Sequence, residues 1–399
     1  MPNFRIASIS QIAEKIVDTS SIVSSCVLAK PAPVSISPIE FGAITRPISV
    51  RDEWPQGDWN RSDYQAEPVV AYRMTGNIVV FSELGIVIID DNLVVEESLH
   101  FVFPDHYGWP ITQASDGVRQ IAIDIPESCI DLGKSLFHLL AGHTGNRNYA
   151  HFWTDCISSL EFLEAAEEAF TSQFQLLLPA IRAGYQREVF NSFFGRDHLT
   201  NSFLLEETSL VGCDSLVFIP SCKRQDYIPR PSYSCFLQEL ASNYIRVSES
   251  DCSSLVCNEP LYIYISRKDA PARRLENEDS IEVLLASKGF RVILASKLDL
   301  REQIRLFSQA TVLVSAHGAG LANLLFMKRN SIVIEMHCDD MVNWSLRRLA
   351  SSVGLRYGCV VGSVAIQAPA STFQDKTWSV PLDDLSDAVD AAIQSSSAV

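Results

Sequence analysis

Short apolar strands alternate with amphipathic helices through residues 261–353, and this alternation constrains the fold more than any other feature. The predicted strands are residues 261–266, 290–295, 311–315 and 331–336, and the predicted helices are residues 276–288, 300–309, 321–326 and 343–353. Parallel neighbours need a crossover connection, usually a helix, so these units predict a parallel sheet with right-handed crossovers. The region therefore reads as a Rossmann-like α/β domain.

A second, less regular pattern precedes this region. Apolar runs broken by Gly, Asn and Asp predict a β-meander over residues 69–102. Further elements are predicted as strands at 120–125, 174–178 and 217–219 and as helices at 159–170, 182–194 and 385–394. Irregular composition marks residues 31–38, 51–63 and 223–234, the last of which reads as a linker or a substrate loop. The chain is predicted to be mixed α/β, with a β-rich N-terminal part.

Charge and composition limit the classes of function. The chain has 399 residues, of which 47% are hydrophobic, so it can bury a large core and is not disordered over most of its length. Its formal net charge is −16, a balance that argues against non-specific nucleic-acid binding. A local basic pocket for a small phosphate group is still compatible with this charge.

Cysteines and apolar runs bear on the compartment. Ten cysteines without a C-x-x-C pair read as buried, reduced thiols and not as a disulfide framework. The N-terminus lacks the apolar core of a secretory signal, and no run approaches the roughly 18 apolar residues of a membrane span. We therefore expect a cytoplasmic protein, and peripheral contact with the inner membrane is left open.

The clearest motif is a glycine-containing loop between a predicted strand and a predicted helix. It includes Gly318 and Gly320 and reads Ser-Ala-His-Gly-Ala-Gly-Leu-Ala-Asn over residues 315–323. Ligands of parallel sheets bind at the carboxyl ends of strands, and N–H groups at a helix N-terminus favour anions. The loop therefore predicts a phosphate or diphosphate site. The plainer alternative is a tight turn in which His317 is merely hydrogen-bonded.

Two further features fall at the same predicted sheet edge. Glu335 closes the next strand, where a carboxylate can accept hydrogen bonds from ribose hydroxyls. Four cations, Arg267, Lys268, Arg273 and Arg274, follow the strand at 261–266. A guanidinium group can bind two diphosphate oxygens at once, so we favour Arg267 and Arg274 as ligands of the diphosphate. A strand-end surface charge and a solvated basic loop are the plainer alternatives.

A different constellation lies upstream. If residues 148–155 are helical, His151 and Asp155 share one face, and such a pair can act as a general base. Asp155 alone as the base, or a hydrogen-bonded helix start, are alternatives. A metal site from His138, His143 and His151 is poorly spaced, and the chain has no Asp-x-Asp. We therefore favour arginine and helix N-termini, rather than a metal ion, as the groups that neutralise the charge of a bound diphosphate.

Taken in order, these residues resemble glycosyltransferase family 61, including its bacterial capsule-locus members. The resemblance covers roughly residues 120–365 and rests on an upstream Asn-x-x-His-(aromatic)-x-x-Asp motif and a downstream series of elements. The upstream motif falls on Asn148, His151 and Asp155; the downstream residues are Ser266, Arg267, Arg274, Asn277, Glu278, Gln303, residues 307–310, residues 317–323 and residues 333–335. Ala322 departs from the family pattern, which usually has Thr or Ser there.

The resemblance implies a GT-B fold, in which two Rossmann-like domains face a cleft. The implied domains are an N-terminal β-rich region at 1–110 packed on the first domain, an acceptor domain at 111–240, and a nucleotide-sugar domain with a C-terminal helix at 241–399. It also implies inverting, metal-independent sugar transfer, without a cofactor, from a UDP-sugar to a glycan, glycoconjugate or lipid-linked acceptor in surface polysaccharide synthesis.

The resemblance also assigns roles to residues. Asp155 or His151 is the expected base. The expected donor ligands are Arg267, Arg274, His317, Gly318, Ala319, Gly320, Asn323 and Glu335, with Asn148, Asn277 and Gln303 as further candidates. For His317 the expected contact is with the phosphate or the sugar.

Three other readings stay open on the residues alone. A non-catalytic relative would bind a nucleotide sugar or glycan and lack the base. A polysaccharide pyruvyl-type transferase would also place His and Arg at an anionic donor. A Rossmann oxidoreductase fits least, because Asn323 stands where the third glycine belongs and Glu335 follows Gly320 by 15 residues instead of about 20.

Overall fold

The fold is described from a computed structural model of the chain. The described residues are 2–49, 63–99, 108–115, 117–140, 147–193, 203–204, 209–223, 230–248, 260–364 and 376–396. Most of the Trp-containing segment at 54–64, residues 224–229 of the predicted linker, and His143 lie outside these residues.

The chain is a mixed α/β protein. Its strands, in chain order, are β1 (Asn3–Ala7), β2 (Ile22–Ala29), β3 (Ala32–Ser35), β4 (Ile39–Phe41), β5 (Asp63–Ala66), β6 (Val69–Phe81), β7 (Ile86–Ile89), β8 (Leu93–Val95), β9 (Ile111–Gln113), β10 (Arg119–Ala122), β11 (Cys129–Asp131), β12 (Ser135–His138), β13 (Gln175–Leu178), β14 (Phe203–Leu204), β15 (Leu210–Phe218), β16 (Leu261–Ile265), β17 (Arg291–Ile293), β18 (Ala310–Ala316), β19 (Ile332–Cys338), β20 (Arg356–Val364) and β21 (Trp378–Ser379).

The α-helices are α1 (Ile9–Ala13), α2 (Tyr149–His151), α3 (Leu163–Phe170), α4 (Gly184–Phe193), α5 (Pro231–Ser248), α6 (Glu278–Ser287), α7 (Leu300–Gln309), α8 (Ser345–Val353) and α9 (Leu382–Ser396). Shorter 3-10 segments are Glu96–Leu99, Ile157–Phe162, Pro220–Lys223, Ala295–Lys297 and Ala319–Phe326, and Phe152–Cys156 forms a π-helical turn.

The chain divides into two compact units, each built from two separate stretches. Unit 1 comprises Met1–Ala32 and Glu67–Tyr227, and unit 2 comprises Pro33–Ala66 and Ile228–Val399. Residues 1–110 therefore contribute to both units. The three domains expected at 1–110, 111–240 and 241–399 have different limits, and their division, like the GT-B arrangement, stays a prediction.

Unit 1 contains one sheet of 12 strands, and both kinds of strand pairing occur in it. β12, β13, β14 and β15 are parallel neighbours, and α2, α3 and α4 lie in the connections between them. β15 then pairs antiparallel with β6. The predicted meander is confirmed over residues 69–95, because β6, β7 and β8 pair antiparallel in sequence order, while its last part lies in a 3-10 turn and beyond the described residues. The β-rich part and the α/β part of this unit are thus one continuous sheet.

Unit 2 contains the parallel sheet that the alternation predicted. Strands β17, β16, β18, β19 and β20 are parallel neighbours in this order. β4 adds a further parallel strand beside β20, and β21 pairs with β20 antiparallel. Gly289 ends its helix with a φ of +87°, as expected for a glycine that follows a helix.

Apolar side chains on the strands form the cores. In unit 2, Phe41, Val312 and Ile334 are buried together with residues of α6 and α9. In unit 1, Met74 and Leu216 belong to the core on one face of the sheet. β16, β18 and β19 are apolar for most of their length because helices cover both faces of a parallel sheet.

The cysteines and the helices bear on two expectations from the sequence, those of buried thiols and of no membrane span. The described cysteines are free, and most are buried, but Cys129 and Cys235 are exposed, which the expectation of buried thiols did not include. Within the ranges given above, no helix is both long and apolar enough to cross a bilayer.

Candidate active site

The candidate donor site lies in unit 2, where neighbouring parallel strands end at one edge of the sheet. Ile265 pairs with Ser315, and Ser315 pairs with Glu335, so the chain leaves β16 and β18 side by side. Gly318 caps the 3-10 helix Ala319–Phe326 that follows β18. The first N–H groups of a helix have no partner within it, so they are available to an anion.

The closest neighbour of the glycine loop is an arginine. A Cβ atom built on Gly318 would overlap with Nη1 of Arg267, whereas one on Gly320 would meet its nearest atom, on Ile265, at an ordinary 3.5 Å. Gly318 has an extended backbone with φ 171°, a conformation open to any residue. A side chain at Gly318 would therefore have to displace the Arg267 guanidinium.

Arg267 is fixed by its surroundings. Its Nη2 donates to the carbonyl of Ala272 at 3.0 Å, and its backbone N–H donates to Oε1 of Glu278 at 3.0 Å. Glu278 is buried and also accepts from the hydroxyl of Tyr264 at 2.7 Å. Burial lowers the pKa of Arg267, but a guanidinium stays charged in proteins. The result is a pre-oriented cation beside the glycine loop.

The other cations of this loop differ in their environments. Lys268 forms ion pairs with Asp279 and Glu282, both at 2.6 Å, so its charge is largely matched by neighbours. The side chain of Arg274 is exposed. Arg273 is partly buried and close enough to His317 to lower the pKa of that imidazole. Arg273, which the sequence did not favour as a diphosphate ligand, therefore acts electrostatically on the histidine of the glycine loop.

His317 belongs to a buried cluster around Glu335. Its Nδ1 is 2.6 Å from Oε1 of Glu335, and the hydroxyl of Tyr357 donates to Oε2 at 2.5 Å. Nε2 of His337 lies 3.3 Å from that hydroxyl and 3.4 Å from Oε2 of Glu335. Both carboxylate oxygens are therefore engaged within the protein. Glu335 and His337 are fully buried, and only His317, with 15% of its side chain exposed, reaches solvent.

The charges in this cluster follow from burial and from the histidines. Burial lowers the pKa of His317, although Glu335 opposes this shift. Burial alone would raise the pKa of Glu335, but His337 and His317 hold it well below its usual value. The pKa of Tyr357 is raised by burial and by the Glu335 charge. The cluster therefore contains a carboxylate, a neutral tyrosine and a neutral His317 near pH 7.

The same residues are the candidates for holding a metal. Within the described part of the chain, ligand atoms of His317, Glu335 and His337 all lie within 4.8 Å of one another. Two ligands of one zinc ion, each at about 2.1 Å, lie roughly 3 Å or more apart. A metal bound by Nδ1 of His317 and Oε1 of Glu335 would therefore have to replace the 2.6 Å hydrogen bond between these atoms. Both oxygens of Glu335 are hydrogen-bonded without an ion, whereas Nδ1 of His337 has no hydrogen-bond partner among the described residues.

A second histidine–carboxylate pair lies in unit 1. Nδ1 of His151 is 2.6 Å from Oδ2 of Asp155, which confirms that these side chains share a face. Asn148 caps the preceding turn, because its Oδ1 accepts from the N–H groups of Ala150 and His151 at 2.9 and 3.3 Å. Asp155 sits in the π-helical turn Phe152–Cys156. Such widened turns are frequent at functional sites.

The two members of this pair differ in access. Only 7% of the Asp155 side chain is exposed, and its Oδ1 accepts from the hydroxyl of Thr154 at 2.6 Å. The side chain of His151 is 43% exposed. Burial opposes the charged imidazole, but the Asp155 carboxylate outweighs it and raises the pKa of His151. Of the two candidate bases, His151 is the one that a ligand can reach.

Comparison with known proteins identifies a family for the central part of the chain. Residues 149–334 match the family model described as Glycosyltransferase 61. This region belongs to glycosyltransferase family 61. The match includes the His151–Asp155 pair and the Gly318 loop and ends one residue before Glu335. Membership of the family supports a glycosyltransferase. No curated protein matches the chain.

Several residues singled out by the family 61 resemblance have structural hydrogen bonds. Asn323 is buried and donates to the carbonyl of Gly320 at 3.0 Å. Gln303 donates to the carbonyl of Leu298 at 2.9 Å, and Asn277 donates to the carbonyl of Val380 at 2.7 Å. These contacts stabilise the loop, the start of α7 and the C-terminal segment. Donor binding by these three residues, and by Ala319 and Glu335, stays a prediction.

Two residues of the buried cluster around Glu335 were missed from the sequence. His337 follows Glu335 by two positions on β19, so the alternation of a strand places both on one face. That signal was available. Tyr357 lies on β20 opposite Val333, which makes it the diagonal neighbour of Glu335. Only the strand register reveals this contact, and the register is not readable from the sequence. His138, by contrast, uses its Nε2 at 3.0 Å from the carbonyl of Gly85.

Proposed function

We propose that the protein is an inverting glycosyltransferase that uses a nucleoside diphosphate sugar, in the first instance a UDP-sugar. The acceptor is a hydroxyl of a glycan, glycoconjugate or lipid-linked glycan in surface polysaccharide synthesis. The proposed location is the cytoplasm, with peripheral contact to the inner membrane. The observation that carries the proposal is the Arg267 guanidinium packed on Gly318 at the start of a helix in a family 61 chain.

The diphosphate role rests on charge and geometry. Arg267 is held by Ala272 and Glu278, so its orientation does not have to be fixed when a ligand binds. A fixed guanidinium and helix N–H groups together stabilise the negative charge that develops on a departing diphosphate. In a chain of net charge −16, such a site attracts one small anion without favouring a polyanion.

The base role rests on the His151–Asp155 pair. In an inverting transfer, the acceptor hydroxyl loses its proton to a base as its oxygen bonds to the anomeric carbon and the bond to the diphosphate breaks. We assign the proton acceptor to Nε2 of His151, because Nδ1 is engaged with Asp155. Asp155 is assigned to orienting the ring and stabilising its charged form. A carboxylate whose two oxygens are both hydrogen-bonded is less accessible for this role.

The proposed reaction is metal-independent. Arginine and helix N–H groups supply the positive charge, which fits the satisfied hydrogen bonds of His317, Glu335 and Tyr357. Sugar transfer should therefore survive excess EDTA followed by desalting. Loss of transfer that returns with one divalent ion would overturn this part and would point to His317, Glu335 and His337 as ligands.

A donor-hydrolysis screen tests the function without knowledge of the acceptor. Purified protein is incubated with a panel of nucleotide sugars, and released nucleoside diphosphate is measured. Arg267→Ala should reduce release from the preferred donor by about 100-fold, since hydrogen bonds to charged groups are worth about 1.5–3 kcal/mol. Lys268→Ala is the matched control, because Lys268 is the neighbouring cation and is already paired with Asp279 and Glu282.

Calorimetry separates the alternative functions. The proposed enzyme binds UDP or another nucleoside diphosphate. Binding of phosphoenolpyruvate in its place would favour the pyruvyl-type transferase. Nucleoside diphosphate binding without any turnover, and with no effect of His151→Ala on any assay, would favour a non-catalytic relative. Absence of binding to every nucleoside diphosphate would contradict the proposal.

A further inference from the structure

The protons of the Glu335 cluster can be assigned one by one. Glu335 is an acceptor on both oxygens, so the hydroxyl of Tyr357 donates to Oε2 and Nδ1 of His317 donates to Oε1. The Tyr357 oxygen, having given its proton to Glu335, can only accept from Nε2 of His337. Nδ1 of His337 is buried without a hydrogen-bond partner, as an unprotonated nitrogen would be. These assignments form one consistent chain of donors and acceptors.

These proton positions determine what His317, the solvent-exposed member of the cluster, can offer to a ligand. If Nδ1 of His317 carries the proton, Nε2 of the neutral ring has a lone pair and no hydrogen. Such a nitrogen accepts a hydrogen bond and cannot donate one to a phosphate oxygen. The Arg267 guanidinium lies against the adjacent Gly318, and this cation is the group suited to bind phosphate.

We infer that Tyr357, acting through Glu335, is a positioning residue that fixes His317 with its proton on Nδ1, and that Nε2 of His317 accepts a hydrogen bond from a hydroxyl of the bound donor. The hydroxyl belongs either to the ribose or to the transferred sugar. The inference rests on the proposed function for the identity of the ligand, but the proton position is a property of the free protein. In this inference Arg267 binds the phosphate of the donor and His317 binds one of its hydroxyls.

Nitrogen NMR tests the proton position directly. Protein labelled with ¹⁵N-histidine is recorded in the wild type and in His317→Asn, whose missing signals assign His317. The expected spectrum shows a protonated Nδ1 and an unprotonated Nε2. A proton on Nε2, alone or together with one on Nδ1, would overturn the inference.

The positioning role of Tyr357 has its own variant. Tyr357→Phe removes the donor to Oε2 of Glu335 and should shift the His317 nitrogen signals towards a mixture of tautomers. Tyr262→Phe is the matched control, because Tyr262 lies on β16 of the same sheet and packs on Phe290, outside the cluster. Unchanged His317 signals in a folded Tyr357→Phe protein would remove Tyr357 from this role.

Calorimetry tests the ligand. Asparagine at position 317 keeps a donor for Glu335 but lacks the acceptor of Nε2. His317→Asn should bind inorganic diphosphate with the affinity of the wild type. It should lose about fivefold in affinity either for UDP and the UDP-sugar alike, or for the UDP-sugar alone. Weaker UDP identifies the ribose, and a loss confined to the UDP-sugar identifies the transferred sugar. An equal loss for inorganic diphosphate, or no loss for any ligand, would overturn the inference alone, whereas a wild type that binds no nucleoside diphosphate overturns the proposed function as well.

Discussion

At the scale of single residues, the glycine loop is explained by a neighbouring side chain of the protein itself. A side chain at Gly318 would have to displace the Arg267 guanidinium, while one at Gly320 would make ordinary contacts. The sequence suggested that both glycines admit a ligand. The structure shows that one of them first admits a guanidinium, which ties the loop after β18 to the loop after β16.

A pair of alanine substitutions separates these two glycines. Gly318→Ala should displace Arg267 and weaken UDP binding by about 10-fold or more, since a charged hydrogen bond is lost or misdirected. It should also lower the free energy of unfolding by about 1 kcal/mol, because the displaced guanidinium loses its hydrogen bond to the Ala272 carbonyl. Gly320→Ala should leave the free energy of unfolding near the wild-type value. Equal destabilisation by both substitutions, measured in urea, would contradict the steric role of Gly318.

The two histidine–carboxylate pairs have the same short hydrogen bond but opposite shifts of the histidine pKa. Burial dominates at His317 and lowers its pKa, while at the more exposed His151 the Asp155 carboxylate prevails and raises the pKa. A raised histidine pKa adds stability that is complete below the unfolded pKa. That stability is lost as pH rises through the folded pKa.

Replacing the carboxylate therefore has a pH-dependent cost. Asp155→Asn should lower the free energy of unfolding more at about pH 5.5 than at about pH 9, on either side of the ordinary histidine pKa. Urea titrations at the two values give the difference. Asp214→Asn, at an exposed carboxylate of the same unit, serves as the control and should show no such trend. A cost for Asp155→Asn that grows with pH would contradict the raised pKa of His151.

At the scale of elements, the sequence patterns predict helices accurately where the helix is regular and both of its ends are marked. The α7 helix was predicted residue for residue, because its apolar face and its ends are both marked in the sequence. The helix expected at 159–170 was only partly right, since residues 157–162 are 3-10 and the α-helix starts at Leu163. The preceding π-turn at Phe152–Cys156 shifts the register of the side chains, and no periodicity reveals it.

The α7 start offers a test at this scale. Asp299 caps the helix, and Glu302 completes a capping box by accepting from the Asp299 backbone N–H at 2.9 Å. Asp299→Ala should lower the free energy of unfolding by about 1 kcal/mol, measured by urea denaturation. Asp299→Asn keeps a capping oxygen and should recover most of this loss. If both variants are equally unstable, charge rather than capping explains the position.

How much of the site could be read from the sequence depended on the kind of contact. His151 with Asp155 was predicted because four residues along a helix bring side chains together. Arg267 and the glycine loop were predicted because strands of a parallel sheet end at one edge. Tyr357 was missed because its contact with Glu335 depends on the register of β19 and β20. Contacts set by pairing register need the three-dimensional structure.

At the scale of the whole molecule, the two units are interleaved in the sequence. Phe41, in the short stretch that unit 2 takes from the N-terminal part of the chain, is buried in the unit 2 core and lies under the Arg356 guanidinium at 4.8 Å. β4 pairs with β20 beside it. A chain that starts at residue 228 would therefore lack part of the core it is meant to form.

Hydrogen exchange can show whether the units are separate in stability. Phe41→Ala should cost about 3–5 kcal/mol and reduce amide protection in β19 and β20 more than in β6 and β15. Phe4→Ala, a truncation of the same size in a buried position of unit 1, should give the reverse pattern. Equal loss of protection in both units for either variant would show that they unfold together.

The partnership of β4 with β20 also has a consequence for synthesis on the ribosome. The β4 strand emerges more than 300 residues before the strand it pairs with. At about 5–20 residues per second, this corresponds to a wait of roughly 15–60 s with an apolar segment unpaired. Unit 1 can complete its own sheet during that time. β20, translated near the end of the chain, then gives β4 its partner. We therefore expect a nascent chain of this protein to depend on chaperones until β20 has been translated.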